Sequence, residues 1–271
     1  MRSTSNPAFR NLPVGGGGYA GFNSAPAGLG GAAPGYGDTS LATGRPMTVD
    51  DVVTKTGITL AVLMATGAVT YLTPSIWGLA LPAALIGFVL ALVITFKKVV
   101  SPPLILVYAA VEGVFLGGIS GFIGNVIERQ TNGATGTGIV FQAIAGTAMV
   151  FVGMLVVYKT GAVKVTPRFT KWLMGAMIGV VGLMLINLIA SFFVGGGIGI
   201  RDGSPIAIIF SLVCIGIAAF SFLLDFDAAD QAIRAGAPEK TAWYIAFGLT
   251  VTLVWLYLEI LRLLSYFQGG D

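Results

Sequence analysis

Residues 243–264 read WYIAFGLTVTLVWLYLEILRLL, and this stretch decides the fold. At about 1.5 Å per residue, a helix of this length crosses the roughly 30 Å hydrocarbon core of a bilayer. Its apolar residues do not alternate with polar ones, as they would in a strand of a membrane β-barrel. Glu259 and Arg262 are its only charged residues. The stretch therefore predicts a transmembrane helix that carries two unusual charges.

The rest of the chain has the same apolar character. Of its 271 residues, 55% are hydrophobic and 10% are charged, whereas soluble proteins average about 25% charged residues. Apolar runs predict seven spans, at residues 56–73, 77–96, 103–126, 138–158, 171–195, 205–224 and 242–264. We therefore predict an all-α, polytopic membrane protein that folds as a seven-helix transmembrane bundle. Because lipid penalises the charges of the seventh helix, we expect that helix to lie at the centre.

The N-terminal region differs in composition from the rest. Residues 1–48 are rich in Gly, Ala and Pro and contain too few apolar side chains to offset the entropy lost on ordering. We predict a disordered cytoplasmic tail there, followed by a transmembrane domain at residues 50–268. The first apolar run begins near Ile58, and we expect no signal peptide before it.

The distribution of Lys and Arg predicts the orientation. With the N-terminus inside, twelve fall in inner segments and three in outer segments, which is a positive-inside bias. The inner ones are Arg2, Arg10, Arg45, Lys55, Lys97, Lys98, Lys159, Lys164, Arg168, Lys171, Arg234 and Lys240, and the outer ones are Arg129, Arg201 and Arg262. Such short clusters between apolar runs are typical of topology signals, so we expect no binding of nucleic acid.

Ionisable residues inside the spans are the candidate functional residues, because lipid disfavours them. Glu112 lies in the middle of the third span, where it either makes a helix–helix hydrogen bond as a neutral acid or faces a hydrated cavity. Glu259 and Arg262 are three residues apart, so they share a helix face and could pair. A water-accessible cavity would lower the cost of burying that pair.

Three aspartates, Asp225, Asp227 and Asp230, end the sixth span. They are either a solvated helix end or part of a site. Two converging carboxylates would share a proton or bind a hard cation through oxygen.

Catalytic and metal motifs are absent from the sequence. It has no histidine, no Walker loop, no GxSxG, no HExxH and no cluster with metal-ligand spacing. The single cysteine, Cys214, lies inside an apolar run and is predicted to be a small core residue. We expect no enzyme activity, no cofactor and no firm metal site.

Small residues predict close helix packing. Gly113, Gly117 and Gly121 repeat every four residues in the third span, and Gly175 and Gly179 do so in the fifth. Glycine at this spacing lets two helix backbones approach closely. We expect both sets to pack against other helices of the same chain rather than to form a dimer interface.

Two longer stretches carry a resemblance to a known family. LLDFDAADQAI at 223–233, followed by WYIAFGLTVTLVWLYLEILRLL, resembles the C-terminal signature of the Bax inhibitor-one (YccA-like) family. FKKVVSPPLILVYAAVEGVFLGGISG at 96–121 is similar to the family's joint between the second and third spans. The resemblance covers roughly residues 50–268 and suggests a bacterial member in the plasma (inner) membrane.

The resemblance implies a pH-sensitive calcium leak channel or transporter. In that family, one acid of the sixth span and one of the seventh share a proton that gates the passage of calcium. Glu259 stands where the family usually has Asp, and its partner would be Asp227, or else Asp230 or Asp225. If the seventh helix enters lipid near Trp243, Glu259 lies about 24 Å along it, and the pair meets only if the two spans shift in depth.

The resemblance also implies an alternative function. Some bacterial relatives modulate a membrane-bound AAA protease, and the N-terminal tail would suit such an interaction. The expected partners are therefore the lipid bilayer, calcium ions and protons, and possibly a membrane protease.

Overall fold

The structure is a computed structural model that describes residues 45–98, 100–130, 136–193, 195 and 197–268. The disordered tail is predicted for residues 1–48. Of these, residues 1–44 lie outside the described residues, and residues 45–48 are described. The helices are α1 (Val49–Tyr71), α2 (Ala80–Lys97), α3 (Pro102–Gln130), α4 (Gly136–Thr160), α5 (Pro167–Ser191), α6 (Pro205–Arg234) and α7 (Thr241–Gln268). A short 3-10 helix, Pro74–Leu79, joins α1 to α2.

Within these described ranges, seven helices are long and apolar enough to cross a membrane, and the predicted fold class is confirmed. Each predicted span overlaps one helix. The largest difference is in α6, which was predicted to span 205–224 and extends to Arg234. The three aspartates therefore belong to the helix itself, and the direction of each is set by its position around the helix axis.

Helix α1 begins earlier than the sequence suggested, because residues 45–48 are packed. Thr48 caps the helix: its hydroxyl accepts from the Asp51 amide at 3.4 Å, and Asp51 accepts from the Thr48 amide at 2.9 Å. Met47 is 2% exposed, and its amide donates to the Ala237 carbonyl at 2.8 Å. These contacts attach the start of the bundle to the linker between α6 and α7.

Helices α5 and α6 begin with the same local chemistry. The Thr166 hydroxyl accepts a hydrogen bond from the Phe169 amide, and the Ser204 hydroxyl accepts one from the Ala207 amide. Pro167 and Pro205 occupy the first position of the two helices. Proline suits that position because its missing N–H would have no partner there. The Ser204 cap fixes the end of the α5–α6 loop, which carries Arg201 and Asp202.

Helix α7 is central, as predicted. It packs against α1, α3, α4 and α6, and 56% of its most apolar window is buried within the bundle, compared with 11% for α5. The structure adds that α3 is equally buried and packs against α1, α2, α4 and α7. The bundle therefore has two central helices, whereas α5 packs chiefly on α6.

The glycines of α3 explain how α3 comes so close to α1. A β-carbon at Gly117 would collide with the Gly67 carbonyl of α1, and one at Gly113 with the Thr66 side chain. In contrast, Gly175 of α5 would meet no described atom within 4 Å, and the same holds for Gly179. The predicted internal packing is confirmed for α3 and is wrong for α5, whose small residues face outward.

Candidate functional site

Glu259 lies in a buried cluster with two arginines. Its side chain is 2% exposed, and its Oε1 accepts from Arg201 Nη2 at 3.0 Å and from Arg262 Nη1 at 3.1 Å. The pairing with Arg262 follows from the three-residue spacing and is confirmed. Arg201 comes from the α5–α6 loop, 58 residues earlier in the chain, and its guanidinium lies 5.6 Å from the centre of the Phe210 ring. Glu259 therefore fastens this loop to the central helix.

The surroundings of this cluster come from α6, α7 and the loop. Cys214 of α6 and Tyr266 of α7 both lie close enough to interact electrostatically with Glu259 and Arg201. Asp202 adds a further negative charge from the loop. The Ser204 amide donates to Asp202 at 3.0 Å, and this hydrogen bond holds the pKa of Asp202 below its ordinary value.

Asp225 points to a different side of α6 from Asp227 and Asp230. Asp225 faces α7, where its Oδ2 accepts from the Thr252 hydroxyl at 2.7 Å. Asp227 accepts from Gln231 of its own helix at 2.6 Å on an exposed side, since two residues correspond to about 200° around a helix. Asp230 pairs with Arg234 at 2.8 Å. Asp225 is therefore the acid of this cluster that faces the central helix.

The expected contact between Glu259 and an aspartate of α6 is not among the described contacts. Thr252, which bonds Asp225, precedes Glu259 by seven residues on α7, which corresponds to about 10 Å along a helix. The two acids therefore lie on the same pair of helices at different depths. The favoured partner, Asp227, bonds within its own helix, so the pairing predicted from the resemblance is corrected.

Glu112 is another buried acid, between α2 and α3. It is 7% exposed and packs against Gly87, where a β-carbon would lie 2.7 Å from Glu112 Oε1. Glycine at position 87 therefore makes room for the carboxyl group. Tyr108, one turn earlier on α3, lies beside it, and the Tyr108 ring packs edge-on against Phe247 of α7 with centres 5.0 Å apart.

A second charged cluster, at the other end of α7, was missed by the sequence reasoning. Lys55 is 8% exposed, and its Nζ donates to Glu239 Oε1 at 3.0 Å and to the Glu239 carbonyl at 2.9 Å. Arg45 joins Asp51 to Glu239, at 2.6 and 3.4 Å. The signal that could have found it is the buried polar stripe of Asp51, Lys55 and Thr59, which repeats every four residues on α1.

The acidic side chains of the bundle do not form a metal site within the described residues. Among the residues that the structure describes, no three His, Cys, Asp or Glu side chains converge in a way that could hold a metal ion. Glu112, Asp225 and Glu259 instead lie apart from one another at three helix contacts, and of these three Glu259 is the one with described ion pairs to cations.

A comparison with protein families gives a match over nearly the whole chain. The family model described as Bax inhibitor 1 like matches residues 6–269, which is nearly the whole chain. A search of curated proteins found no significant match.

Proposed function

Because the chain belongs to the Bax inhibitor 1 like family of membrane proteins, we propose that it is a proton-sensitive calcium leak channel or transporter. The observation that supports this proposal best is the buried contact of Glu259 with Arg201 and Arg262. A carboxylate at this depth is costly unless it is paired or protonated, and groups of this kind within transmembrane helices commonly mark ion and proton pathways.

The gating step involves the loop that Arg201 belongs to. When Glu259 is ionised, its charge holds Arg201 and therefore the loop against α7. Protonation removes that charge and leaves the two arginines to repel one another, which frees the loop from the helix. The charged groups that face Glu259 are Arg201 of the loop and Arg262 of its own helix, with Cys214 of α6 and Tyr266 of α7 nearby.

Asp225 supplies the oxygen ligand in this proposal. It lies between α6 and α7 about two helical turns from Glu259, and its described partner is the neutral Thr252 hydroxyl. A hard cation such as calcium prefers carboxylate and hydroxyl oxygens. A calcium ion passing between α6 and α7 would therefore meet Asp225 after the loop at the Glu259 end has opened.

The test is calcium flux into liposomes that contain the purified full-length protein and an enclosed calcium indicator. We expect the flux of the natural protein to rise as the pH falls from about 8 to about 6, because protonation releases Arg201. Glu259→Gln imitates the protonated acid, so we expect high flux at every pH in this range. Asp225→Asn should lower the flux about tenfold, since it removes a charged oxygen ligand.

Two variants serve as matched controls. Asp227→Asn makes the same change on the same helix, at a residue bonded only within that helix in the described contacts, and should leave the flux unchanged. Asp202→Asn should leave the pH dependence unchanged, because the lowered pKa of Asp202 keeps it ionised throughout the range. Absence of calcium flux at all pH values, or an unaltered pH profile in Glu259→Gln, would contradict the proposal.

The alternative function, modulation of a membrane-bound AAA protease, depends on the N-terminal tail. Residues 1–44 of that tail lie outside the described residues, and the described part of the chain offers no feature that favours it. We therefore propose the leak function, together with a multi-pass location in the inner membrane and a cytoplasmic N-terminus.

A further inference from the structure

An apolar groove with a volume of about 390 Å³ opens on the side of the bundle between α1 and α4. These two helices are not among the pairs that pack together in the described structure, and α3 and α7 form the floor behind them. We propose that this groove binds one acyl chain of a membrane phospholipid. The proposal goes beyond the leak function and does not depend on it.

The lining offers little to a polar ligand. Three of the hydroxyl groups in the groove already have partners: Ser120 and Tyr257 bond each other at 2.6 Å, and Thr147 donates to the Ala143 carbonyl at 2.7 Å. The rest of the wall is almost entirely aliphatic and aromatic. An apolar cavity of this kind is filled by apolar ligands rather than by ordered water.

The length of the groove matches a single leaflet. Along α1 the lining extends from Leu60 to Tyr71, and along α4 from Val140 to Phe151. Each stretch rises about 16 Å, which is half of the roughly 30 Å hydrocarbon core. Both lie in the half of the bundle remote from Lys55, so they face the same leaflet, and one extended acyl chain would span the groove from Tyr71 to the bilayer centre.

The setting of the groove favours an acyl chain over a helix of a partner protein. The floor helices α3 and α7 each pack directly against both α1 and α4, so the groove is a cleft between two membrane spans that are already joined through its floor. Because the helices on both sides are membrane spans, phospholipid chains are also the molecules that surround the opening.

The floor of the groove provides a specific readout. Leu253, Val254 and Tyr257 of α7 line it, and they lie between Thr252, the partner of Asp225, and Glu259. Lipid that only surrounds the protein touches its outer faces, whereas a chain inside the groove touches these floor positions, of which Val254 and Tyr257 are buried. Labelling of the floor therefore distinguishes a bound chain from ordinary annular lipid.

The experiment uses the full chain in phosphatidylcholine and phosphatidylglycerol liposomes, doped with phosphatidylcholine that carries a diazirine on one acyl chain. After irradiation, labelled positions are mapped by mass spectrometry of peptides. We expect label on residues 116–120 and 253–257 as well as on the outer faces of α2 and α5. A parallel sample with a free diazirine fatty acid separates the two sources of acyl chain, and we expect the phospholipid to label the floor.

Two double variants form a matched pair. Ala68→Phe with Ala148→Phe fills the groove, since both alanines are exposed and line it. This pair should reduce floor labelling about tenfold, because each methylene displaced from an apolar site weakens binding. Ala65→Phe with Ala145→Phe adds the same bulk on the same helices at exposed positions outside the groove, and should leave the labelling unchanged.

Three results would overturn the proposal. They are an unlabelled floor in the natural protein when α2 and α5 are labelled, equal floor labelling in the two double variants, and floor labelling by the free fatty acid alone. Circular dichroism and size-exclusion profiles check that both double variants are folded. If the groove-filling variant does not fold, labelling of the natural protein decides between binding and its absence.

Discussion

Lys55 is the buried cation whose removal should weaken the bundle most directly. Its ammonium group holds both the carboxylate and the carbonyl of Glu239 and lies 6.0 Å from the centre of the Trp243 ring. Lys55→Met keeps most of the side-chain volume but loses these bonds. Since hydrogen bonds to a charged group contribute about 1.5–3 kcal/mol, and Glu239 is partly hydrated, we expect the free energy of unfolding to fall by about 1–3 kcal/mol.

Thermal unfolding in detergent micelles, followed by circular dichroism, measures this loss. Lys159→Met is the matched control, because Lys159 is exposed at the end of α4 and surface changes of this kind stay within about 0.5 kcal/mol. Equal melting temperatures for the two variants would mean that the bonds of Lys55 do not stabilise the fold.

The residue scale also shows what the sequence could not predict about the site. The spacing of Glu259 and Arg262 predicts their contact, because it depends only on helix geometry. Arg201 was treated as a topology signal, since its contact with Glu259 depends on how the α5–α6 loop packs on α7, which the sequence of one span does not predict. The partner of Asp225 was also missed, because the rotation of α6 about its axis depends on packing against α7 rather than on hydropathy.

At the scale of the helix, Gly117 is one of the positions that set the distance between α1 and α3. An added β-carbon would meet the Gly67 carbonyl, which belongs to the backbone of α1 and cannot rotate away. We expect Gly117→Ala to force the two helices apart and to cost about 1–3 kcal/mol of stability, again measured by thermal unfolding.

Gly179→Ala is the control for this effect. Gly179 lies on the outward side of α5 and meets no described atom within 4 Å, so the same change should be neutral, or stabilising by up to about 1 kcal/mol through helix propensity. If both variants unfold alike, close contact at Gly117 is not what places α3 against α1.

Glycine spacing alone therefore predicted less than the structure shows. The repeat in α3 and the repeat in α5 look alike in the sequence, yet the first is packed against α1 and the second faces outward. Hydropathy predicted the seven helices well, because the length of an apolar run is a property of the run itself. Which face of a helix is buried depends on the helices that pack against it, and the sequence of one segment does not identify those helices.

At the scale of the whole molecule, the two charged clusters lie at opposite ends of α7, and this sets a test of orientation. If the N-terminus is cytoplasmic, the linker that carries Lys240 is inside and the loop that carries Asp202 is outside. Both residues are exposed, whereas the native Cys214 is buried. Single cysteines at 202 and 240 should therefore report the two sides separately.

The measurement is labelling of bacterial spheroplasts with a membrane-impermeant maleimide. We expect Asp202→Cys to react in intact spheroplasts and Lys240→Cys to react only after permeabilisation. The opposite pattern would reverse the orientation of the bundle, and it would place the Glu259 cluster on the cytoplasmic side.

The bond between Lys55 and Glu239 has a consequence for how the protein is made. The two residues are separated by 184 positions in the chain, and a ribosome adds about 5–20 residues per second. At that speed of synthesis, roughly 10–40 s pass between the addition of Lys55 and the addition of Glu239. During this interval the lysine of α1 has no Glu239 to bind, so the bond between α1 and the α6–α7 linker forms only after six helices of the bundle have been synthesised.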